Sequence, residues 1–528
     1  MSKPFSYESP YAVRRVPVFA RNMVAASQPL AAQAGLRMLL AGGNAVDAAL
    51  ATAITLTVVE PTGNGLGSDA FAIVWDGREL HGLNASGRSP AGWTPERFAG
   101  LDAMPQRGWD SVTVPGAVSA WVSLSERFGK LPFARLFEPA IDYARNGFAV
   151  SPTIAASWQA SAPQLVRHPG FAEHFFVGGK SPQAGEVITN PALAASLELI
   201  AETRGEAFYR GVLGEKIASF AREHGAALTA EDLDAHRSDW CGTISTRFRG
   251  VELHEIPPNG QGIAALMALG MLEHTAIDDL DPDSPAALHL EIEAMKLAFA
   301  DVERHVGDAA AMHIGVDALL DPAYLARRAA RIDAAVAGDP KAGAPTAGGT
   351  VYMTAADSAG MMVSYIQSNY LGFGSGVVIP GTGIHLQNRG FGFTLEPGHP
   401  NQVGPRKRPF HTIIPGFVMQ GGAPLMSFGV MGGPMQAQGH LQMVVRTQLF
   451  GQNPQAASDA PRWRVVSGRQ VAVEAAMPEA TVDGLRALGH DVILDSAESF
   501  GGAQLIHRLA GGYVGGSDHR KDGGVVGY

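Results

Sequence analysis

The strongest constraint on this chain is an abrupt change of texture at Gly349-Thr350. Residues 334 to 348, AAVAGDPKAGAPTAG, form a loose linker of small residues. A hairpin pattern begins straight after it: Val351 and Tyr352, the turn Asp357-Ser358-Ala359-Gly360, then Met362-Val363-Ser364-Tyr365-Ile366. Turn residues between β-branched and aromatic runs favour paired strands. A slack approach to a hydroxyl residue, followed at once by a strand, suits a precursor that cuts its own backbone. The linker leaves the chain free to bend into attack, and the strand fixes the new terminus in the core. In that reading Thr350 attacks the Gly349 carbonyl, an N→O acyl shift follows, and hydrolysis frees the threonine's α-amine. Such an amine has a pKa near ~8 and can act as general base toward its own hydroxyl. The plainer alternative is a Gly-Gly-Thr that merely ends a surface linker. This segment alone leaves both open.

Upstream of the break, helical patterns dominate. Ser27-Gln28-Pro29-Leu30 opens a helix that runs to about Leu40, where Gly42-Gly43 stops it. Asn44 caps a second helix, apolar nearly all round and ended by Pro61, which should be buried. A glycine turn then leads into an alternating strand from Ala70 to Trp75. Gly63, Gly65 and Gly67 resemble a phosphate loop only loosely, since no GK[ST] follows and the next element is a strand. A nucleotide role is set aside. The turn Asn84 to Pro90 carries a single arginine, Arg88, beside that glycine-rich loop. Residues 284 to 305 form an amphipathic helix with Leu288, Ile292, Met295 and Phe299 on one stripe, and Leu319 to Asp333 reads as another helix. Beyond Thr350, strand-length runs take over at Met361 to Ile366, Gly376 to Ile379, Ile413 to Gln420 and Leu425 to Val430. Helices are expected at about 434 to 449 and 479 to 487, with a final strand pair near 491 to 515. Strands on both sides of the break favour one layered domain cut by a flexible loop over two domains.

Composition narrows the partners. A net charge of −10, with only the short knot Arg406-Lys407-Arg408, gives no basic footprint for nucleic acid. That knot reads as a solvated loop. The single cysteine, Cys241, excludes an intrachain disulfide and is expected as a core thiol. The first residues, MSKPFSYESPYAVRR, lack an apolar stretch of the signal-peptide kind. The longest apolar run, Ala48 to Val59, is too short to span a bilayer. A cytoplasmic protein with no membrane partner is the expectation. No His, Asp or Glu set has metal-ligand spacing, so neither a metal nor a cofactor is expected.

Ten segments, in order, resemble the γ-glutamyltransferase family of N-terminal nucleophile hydrolases. They are AGGNAVDAALA (41 to 51), GNGLGSDAF (63 to 71), VPGAVSAW (114 to 121), PPNGQGIAALM (257 to 267), HLEIEAMKLAFAD (289 to 301), the Thr350 segment, FGSG (373 to 376), GTGIHLQNR (381 to 389), MGGPMQ (431 to 436) and NPQAASDAPRW (453 to 463). The resemblance implies a mixed α/β, four-layer αββα sandwich cut between Gly349 and Thr350. A large chain, 1 to 349, and a small chain, 350 to 528, would then form one heterodimeric domain, of unread oligomeric state. It also implies that Thr350 is the nucleophile, that Ser368 hydrogen-bonds it, and that the Gly432 and Gly433 amides form the oxyanion hole.

The chain departs from the family where substrate is recognised. The carboxylate-binding arginine of γ-glutamyl enzymes aligns near Ser86, with Arg88 two residues later. The paired serines of the small chain fall at His411 and Thr412. The acid that holds the substrate ammonium aligns near Gly392, and its polar partner near Arg389. A cation kept and an anion lost suits a small anionic amide without an α-amine. Oxamate, as in the family's oxamate amidohydrolases of purine-nitrogen catabolism, is the leading expectation, with Ser86, Arg88, Arg389, His411 and Thr412 as the candidate binding residues. A γ-glutamyl (glutathione) hydrolase or transferase, or a glutaryl or cephalosporin-type acylase, is the alternative. A non-catalytic scaffold is the alternative from another class.

Overall fold

A computed structural model describes residues 10–11, 15–340 and 349–528. The linker's residues 341 to 348 therefore lie outside the described residues, as does most of the N-terminal stretch before Arg15.

Capping chemistry sets the first helices. The Gln28 side chain accepts the N–H groups of Leu30 and Ala31 to start Pro29–Leu40. Asn44 and Asp47 form a reciprocal capping box at the head of Ala45–Val59. Every residue of that second helix is buried. Its small side chains allow the two helices to pack closely: a Cβ on Gly35 would meet Thr52 Oγ1 at 2.3 Å, so glycine is required there.

Two seven-stranded sheets form the centre. The first runs, in spatial order, Gly524–Gly527, Met23–Ala26, Gly349–Ala356, Met362–Tyr370, Asp69–Trp75, Leu80–Asn84 and Asp239–Trp240. The second runs Val18–Ala20, Gly512–Ser517, Ala503–Leu509, Ala423–Val430, Gly416–Gln420, Val251–Glu255 and Ile244–Phe248. All neighbours in both sheets are antiparallel. Met23, Phe71, Ile73, Tyr352, Ile366, Phe417 and Ile506 fill the space between the sheets. Outside the first sheet lies a core built on Ala45–Val59 and Ala117–Phe128. Outside the second lies one built on Gly262–Leu272, Pro285–His305 and Met435–Val444. The architecture is a four-layer αββα sandwich, and each sheet contains strands from both sides of Gly349-Thr350.

Several expectations need correction. The helix expected from Leu319 to Asp333 is two short helices, Val316–Leu319 and Pro322–Ala329. Pro322 cannot continue the first and opens the second, with Asp321 as its cap. The expected pair near 491 to 515 is split: Asp491–Asp495 lies parallel to Gln470–Glu474 in a separate three-stranded sheet, while Ala503–Leu509 pairs with Gly512–Ser517. Cys241 is exposed, following the edge strand Asp239–Trp240, and is no core thiol. Arg408 is no solvated loop residue either. It is buried, with Nη1 donating to Asp239 at 2.6 Å and Nε to the Ser86 carbonyl at 2.9 Å. Among the described residues, no helix is long and apolar enough to cross a membrane.

Candidate active site

Alternation along Gly349–Ala356 decides where Thr350 points. Val351, Met353 and Ala355 pack into the outer helical core, while Tyr352 and Ala356 face the second sheet. Thr350 therefore shares the inter-sheet side with Tyr352, and it is 4% exposed. The pairing with Met362–Tyr370 slips just there: Gly349 lies opposite Tyr370, but Val351 lies opposite Gln367. The slip brings the Gly349 carbonyl to Ser368, whose hydroxyl donates to it at 2.8 Å. Ser368 Oγ accepts the Tyr370 N–H at 2.8 Å and the Thr350 hydroxyl at 3.2 Å. With two donors already pointing in, the serine's own proton is committed to the Gly349 oxygen. The Thr350 hydroxyl and the Gly349 carbonyl thus belong to one hydrogen-bond chain, an arrangement that suits nucleophilic attack on that carbonyl.

Gly432 and Gly433 form the turn between Ala423–Val430 and Met435–Val444, with φ of 116° and 61°. Positive φ at two successive positions favours glycine, and a Cβ on Gly432 would lie 3.0 Å from Gly501 Cα. Among the described residues neither N–H of the pair donates to a protein acceptor. Two glutamines lie at this turn, and one of them reaches Thr350. Gln436 Nε2 lies 3.5 Å from Thr350 Oγ1, and Gln436 Oε1 accepts the Ile414 N–H at 3.0 Å. Gln261 Nε2 donates to the Gly433 carbonyl at 2.8 Å and also to the Thr412 carbonyl.

Arg389, Thr412, His411 and Asp69 come together next to this centre. Arg389 is 1% exposed and donates from Nη1 to Thr412 Oγ1 at 2.8 Å. Its guanidinium lies 4.6 Å from the centre of the Tyr370 ring, a cation–π contact. Its Nε and Nη2 are buried without a partner. Burial pushes the Arg389 pKa down to about 10 against the opposing pull of Asp69, so it stays charged at neutral pH. Asp69 is fully buried and accepts the N–H groups of Gly87 and Gly116, each at 3.1 Å, and His411 Nε2 at 3.1 Å. Burial drives the Asp69 carboxyl up to about 7 in spite of Arg389 and those amides. His411 is held well below its ordinary value by burial and by the charges of Arg389 and Arg408. It is therefore neutral, and donates its Nε2–H to Asp69.

The Gamma-glutamyltranspeptidase family profile matches residues 31–528. The chain is 37% identical to the glutathione hydrolase-like YwrD proenzyme of Bacillus subtilis, over 96% of this chain and 98% of that one. It is 36% identical to the oxamate amidohydrolase proenzyme of Klebsiella pneumoniae, over 97% and 99% respectively. Among solved structures, a cephalosporin acylase from Bacillus halodurans superposes with a TM-score of 0.94 at 47% identity, covering 100% of this chain and 99% of that one. The chain belongs to the gamma-glutamyltranspeptidase family. It is an enzyme acting on amides.

This gamma-glutamyltranspeptidase-family chain uses its other candidate binding residues differently. Arg88 does not join the group around Arg389. It is about half exposed, and its guanidinium is paired with Asp308 at 3.2 Å and with the Arg406 carbonyl at 3.2 Å. Ser86 is buried, but its hydroxyl donates to Asn84 Oδ1 at 2.7 Å and serves the loop itself. Of the residues now assembled, Asp69, Gln261, Tyr370 and Gln436 were not singled out from sequence. Asp69 and Gln436 lie inside quoted motifs, GNGLGSDAF and MGGPMQ. That a buried aspartate so near a glycine turn must find donors was the available signal.

Two groups of metal-ligating side chains form that spacing alone did not reveal. Asp76, Glu79 and His81 meet near the surface, and His289, Glu293 and His490 meet in the core. In the buried group the Lys296 ammonium already supplies a cation. It donates to Glu293 Oε1 at 2.8 Å and lies 3.3 Å from His490 Nδ1. That group reads as an internal ion pair at the root of the linker, since Lys296 also donates to the Gly338 carbonyl at 3.2 Å.

Proposed function

We propose that this chain is an autoprocessed threonine amidohydrolase acting on the amide of a short carboxylate-bearing acid, with oxamate, yielding oxalate and ammonia, as the first candidate. The observation that carries this reading is Arg389: a buried cation with two N–H directions unused, beside the nucleophile. Leaving such donors unpaired is costly, and a carboxylate is the group that satisfies an arginine edge through two parallel hydrogen bonds. Oxamate places a carboxylate directly next to its amide carbonyl, and a relative of similar length bears the name oxamate amidohydrolase.

Maturation would divide the chain into residues 1 to 349 and 350 to 528. The parts would stay together because strands of both are hydrogen-bonded neighbours in each sheet. Cleavage leaves Thr350 with a free α-amine. That amine takes the hydroxyl proton as Oγ1 attacks the substrate carbonyl, and the Gly432 and Gly433 N–H groups receive the developing oxyanion. The C–N bond breaks as the ammonium returns its proton to the leaving ammonia. Water, deprotonated by the same amine, then hydrolyses the threonyl ester and releases the acid. Oxyanion donors of this kind contribute on the order of 3 kcal/mol each.

A larger acyl group is the second reading. A cavity of about 390 Å³, lined by Gln261, Phe299, Val302, Gly392 and Phe410, shares Gln261 with the oxyanion turn and Gly392 with the segment that starts at Arg389. Its size suits a glutaryl or cephalosporin-type chain better than a two-carbon acid, and Glu303, Thr394, Glu396 and Asn401 give it a polar side beside the apolar one. A γ-glutamyl group is disfavoured, since Gly392 offers its ammonium no carboxylate and Arg389 would repel it. The matured protein should be assayed on oxamate, glutaryl anilide, γ-glutamyl anilide and a neutral acyl anilide. The anionic amides should exceed the neutral one by about a hundredfold in kcat/KM. Equal rates on charged and neutral acyl groups would end the carboxylate reading, and glutaryl anilide outrunning oxamate would select the larger acyl group.

Asp69 gives this reading a pH signature. Its carboxyl, raised to about 7, is neutral below that pH and negative above it. When it ionises, it offsets part of the Arg389 charge that attracts the substrate. KM for an anionic amide should therefore rise as pH passes from 6 to 8, by about tenfold for a charge pair screened as in a protein site. Asp69→Asn should flatten the profile near its low-pH level. A steep rise that persists in that variant assigns the titration to another group.

A further inference from the structure

Tyr370 is the odd member of a group of buried tyrosines. Tyr352 hydroxyl pairs with Ser364 Oγ at 2.7 Å, and Tyr365 donates to Gln367 Oε1 at 3.0 Å. Tyr209 donates to the Pro115 carbonyl at 2.9 Å, and Tyr513 to the Asp357 carbonyl at 2.8 Å. This is what burial demands of a phenol. Tyr370 is only 4% exposed, yet its hydroxyl meets no protein partner among the described residues, and it is not among the polar atoms sealed from solvent. Burial, opposed by Arg389, raises its pKa, so the phenol stays protonated and is a donor.

The backbone at Tyr370 is also unusual. Its φ is +77°, a conformation that is rare and strained for a bulky residue. The surroundings hold it there. Its N–H is donated to Ser368 Oγ at 2.8 Å, and Gly349 lies opposite it in the strand pair. Its ring lies 4.6 Å from the Arg389 guanidinium and 5.9 Å from the Phe391 ring. The strained turn therefore places a tyrosine with an unpartnered hydroxyl against the Arg389 guanidinium, whose Nε and Nη2 are unpartnered too, and within two residues of Ser368. An apolar ring would serve packing equally well. The hydroxyl has no structural task that the fold reveals.

We propose that Tyr370 is a specificity-determining residue whose hydroxyl donates the third hydrogen bond to the carboxylate of the substrate acyl group, alongside Nε and Nη2 of Arg389. The inference rests on the reading of Arg389 as a carboxylate site and adds to it a second recognition element from the nucleophile's own strand pair. It assigns the strain at Tyr370 to recognition: the turn holds the phenol ring against the Arg389 guanidinium while its N–H orients Ser368.

Tyr370→Phe removes only the oxygen and keeps the ring, the cation–π contact and the backbone. The variant should mature into two fragments at the wild-type rate. KM for an anionic amide, and the inhibition constant of the corresponding free acid, should both rise about ten- to a hundredfold, with kcat changed less than about threefold. A neutral acyl anilide should be cleaved as by the wild type. KM and the inhibition constant within twofold of wild type would overturn the proposal. If the wild type still prefers anionic amides, the Arg389 reading survives that result. If the wild type shows no such preference, both fall. Failure of the Phe variant to mature would also overturn the proposal, because it would give the hydroxyl a role in the precursor.

Discussion

Thr350→Ala should leave one uncut chain of 55.3 kDa on denaturing electrophoresis and abolish amide hydrolysis, by at least about 10⁴-fold. One oxygen is asked to do both tasks. In the intact chain Thr350 Oγ1 belongs to the same hydrogen-bond chain as the carbonyl it must attack, through Ser368. After cleavage the same atom would be the nucleophile toward substrate, and its own amine the base. Ser368 is no substitute, because its proton is committed to the Gly349 oxygen and its lone pairs receive Tyr370 and Thr350. The fold itself should tolerate the change. Val351 and Tyr352 hold the strand on both faces, and the hydroxyl's partners are two side chains, Ser368 and Gln436, that rearrange locally. Circular dichroism and the melting transition should thus stay near wild type, which separates lost chemistry from lost structure. Thr350→Ser keeps the oxygen and should still mature. Two fragments from the Ala variant at the wild-type rate would move the nucleophile elsewhere.

Much of this was legible from local chemistry. Asn44 as the cap of the second helix and the change of texture at Gly349-Thr350 each declare themselves within a few residues, because caps and turns satisfy backbone groups nearby. Gly432-Gly433 was legible only through the family resemblance, and its two successive positive φ angles give the physical reason for glycine there. What was not legible depends on contacts between distant segments. Arg88 and Arg389 looked equivalent in sequence, yet Asp308, 220 positions from Arg88, neutralises one and leaves the other free. Arg408 looked solvated until Asp239 and Ser86 were brought against it. Tyr370 was not singled out, since nothing in a linear pattern shows that, among the described residues, its buried hydroxyl meets no protein partner. Pro322 was the overlooked local signal; it divides the helix expected from Leu319 to Asp333.

Arg389→Met should cost about a thousandfold in kcat/KM on anionic amides while leaving maturation intact. The side chain makes one hydrogen bond to the protein, from Nη1 to Thr412 Oγ1, and none from Nε or Nη2. Its removal therefore strips little from the fold, and it also removes a buried charge whose desolvation opposes folding. The loss falls on the ligand. A substrate carboxylate would enter a closed site with no cation to receive it, and truncating one partner of a buried charged pair costs about 3 to 5 kcal/mol, or about two to four powers of ten. A neutral acyl anilide, which never used the cation, should be cleaved as before or slightly better. Asp69 supplies a control on the electrostatics. Burial is what raises its carboxyl, and Arg389 is the largest of the influences that hold it down. With methionine in place its pKa should climb above 7, and the dependence of KM on pH should disappear from the range 6 to 8. Arg389→Lys should not rescue the enzyme, because an ammonium cannot present two parallel N–H groups to a carboxylate. If the Met variant matures, melts as the wild type does and still prefers anionic amides, the carboxylate is held by another group, and both the substrate class and the role given to Tyr370 must be abandoned together.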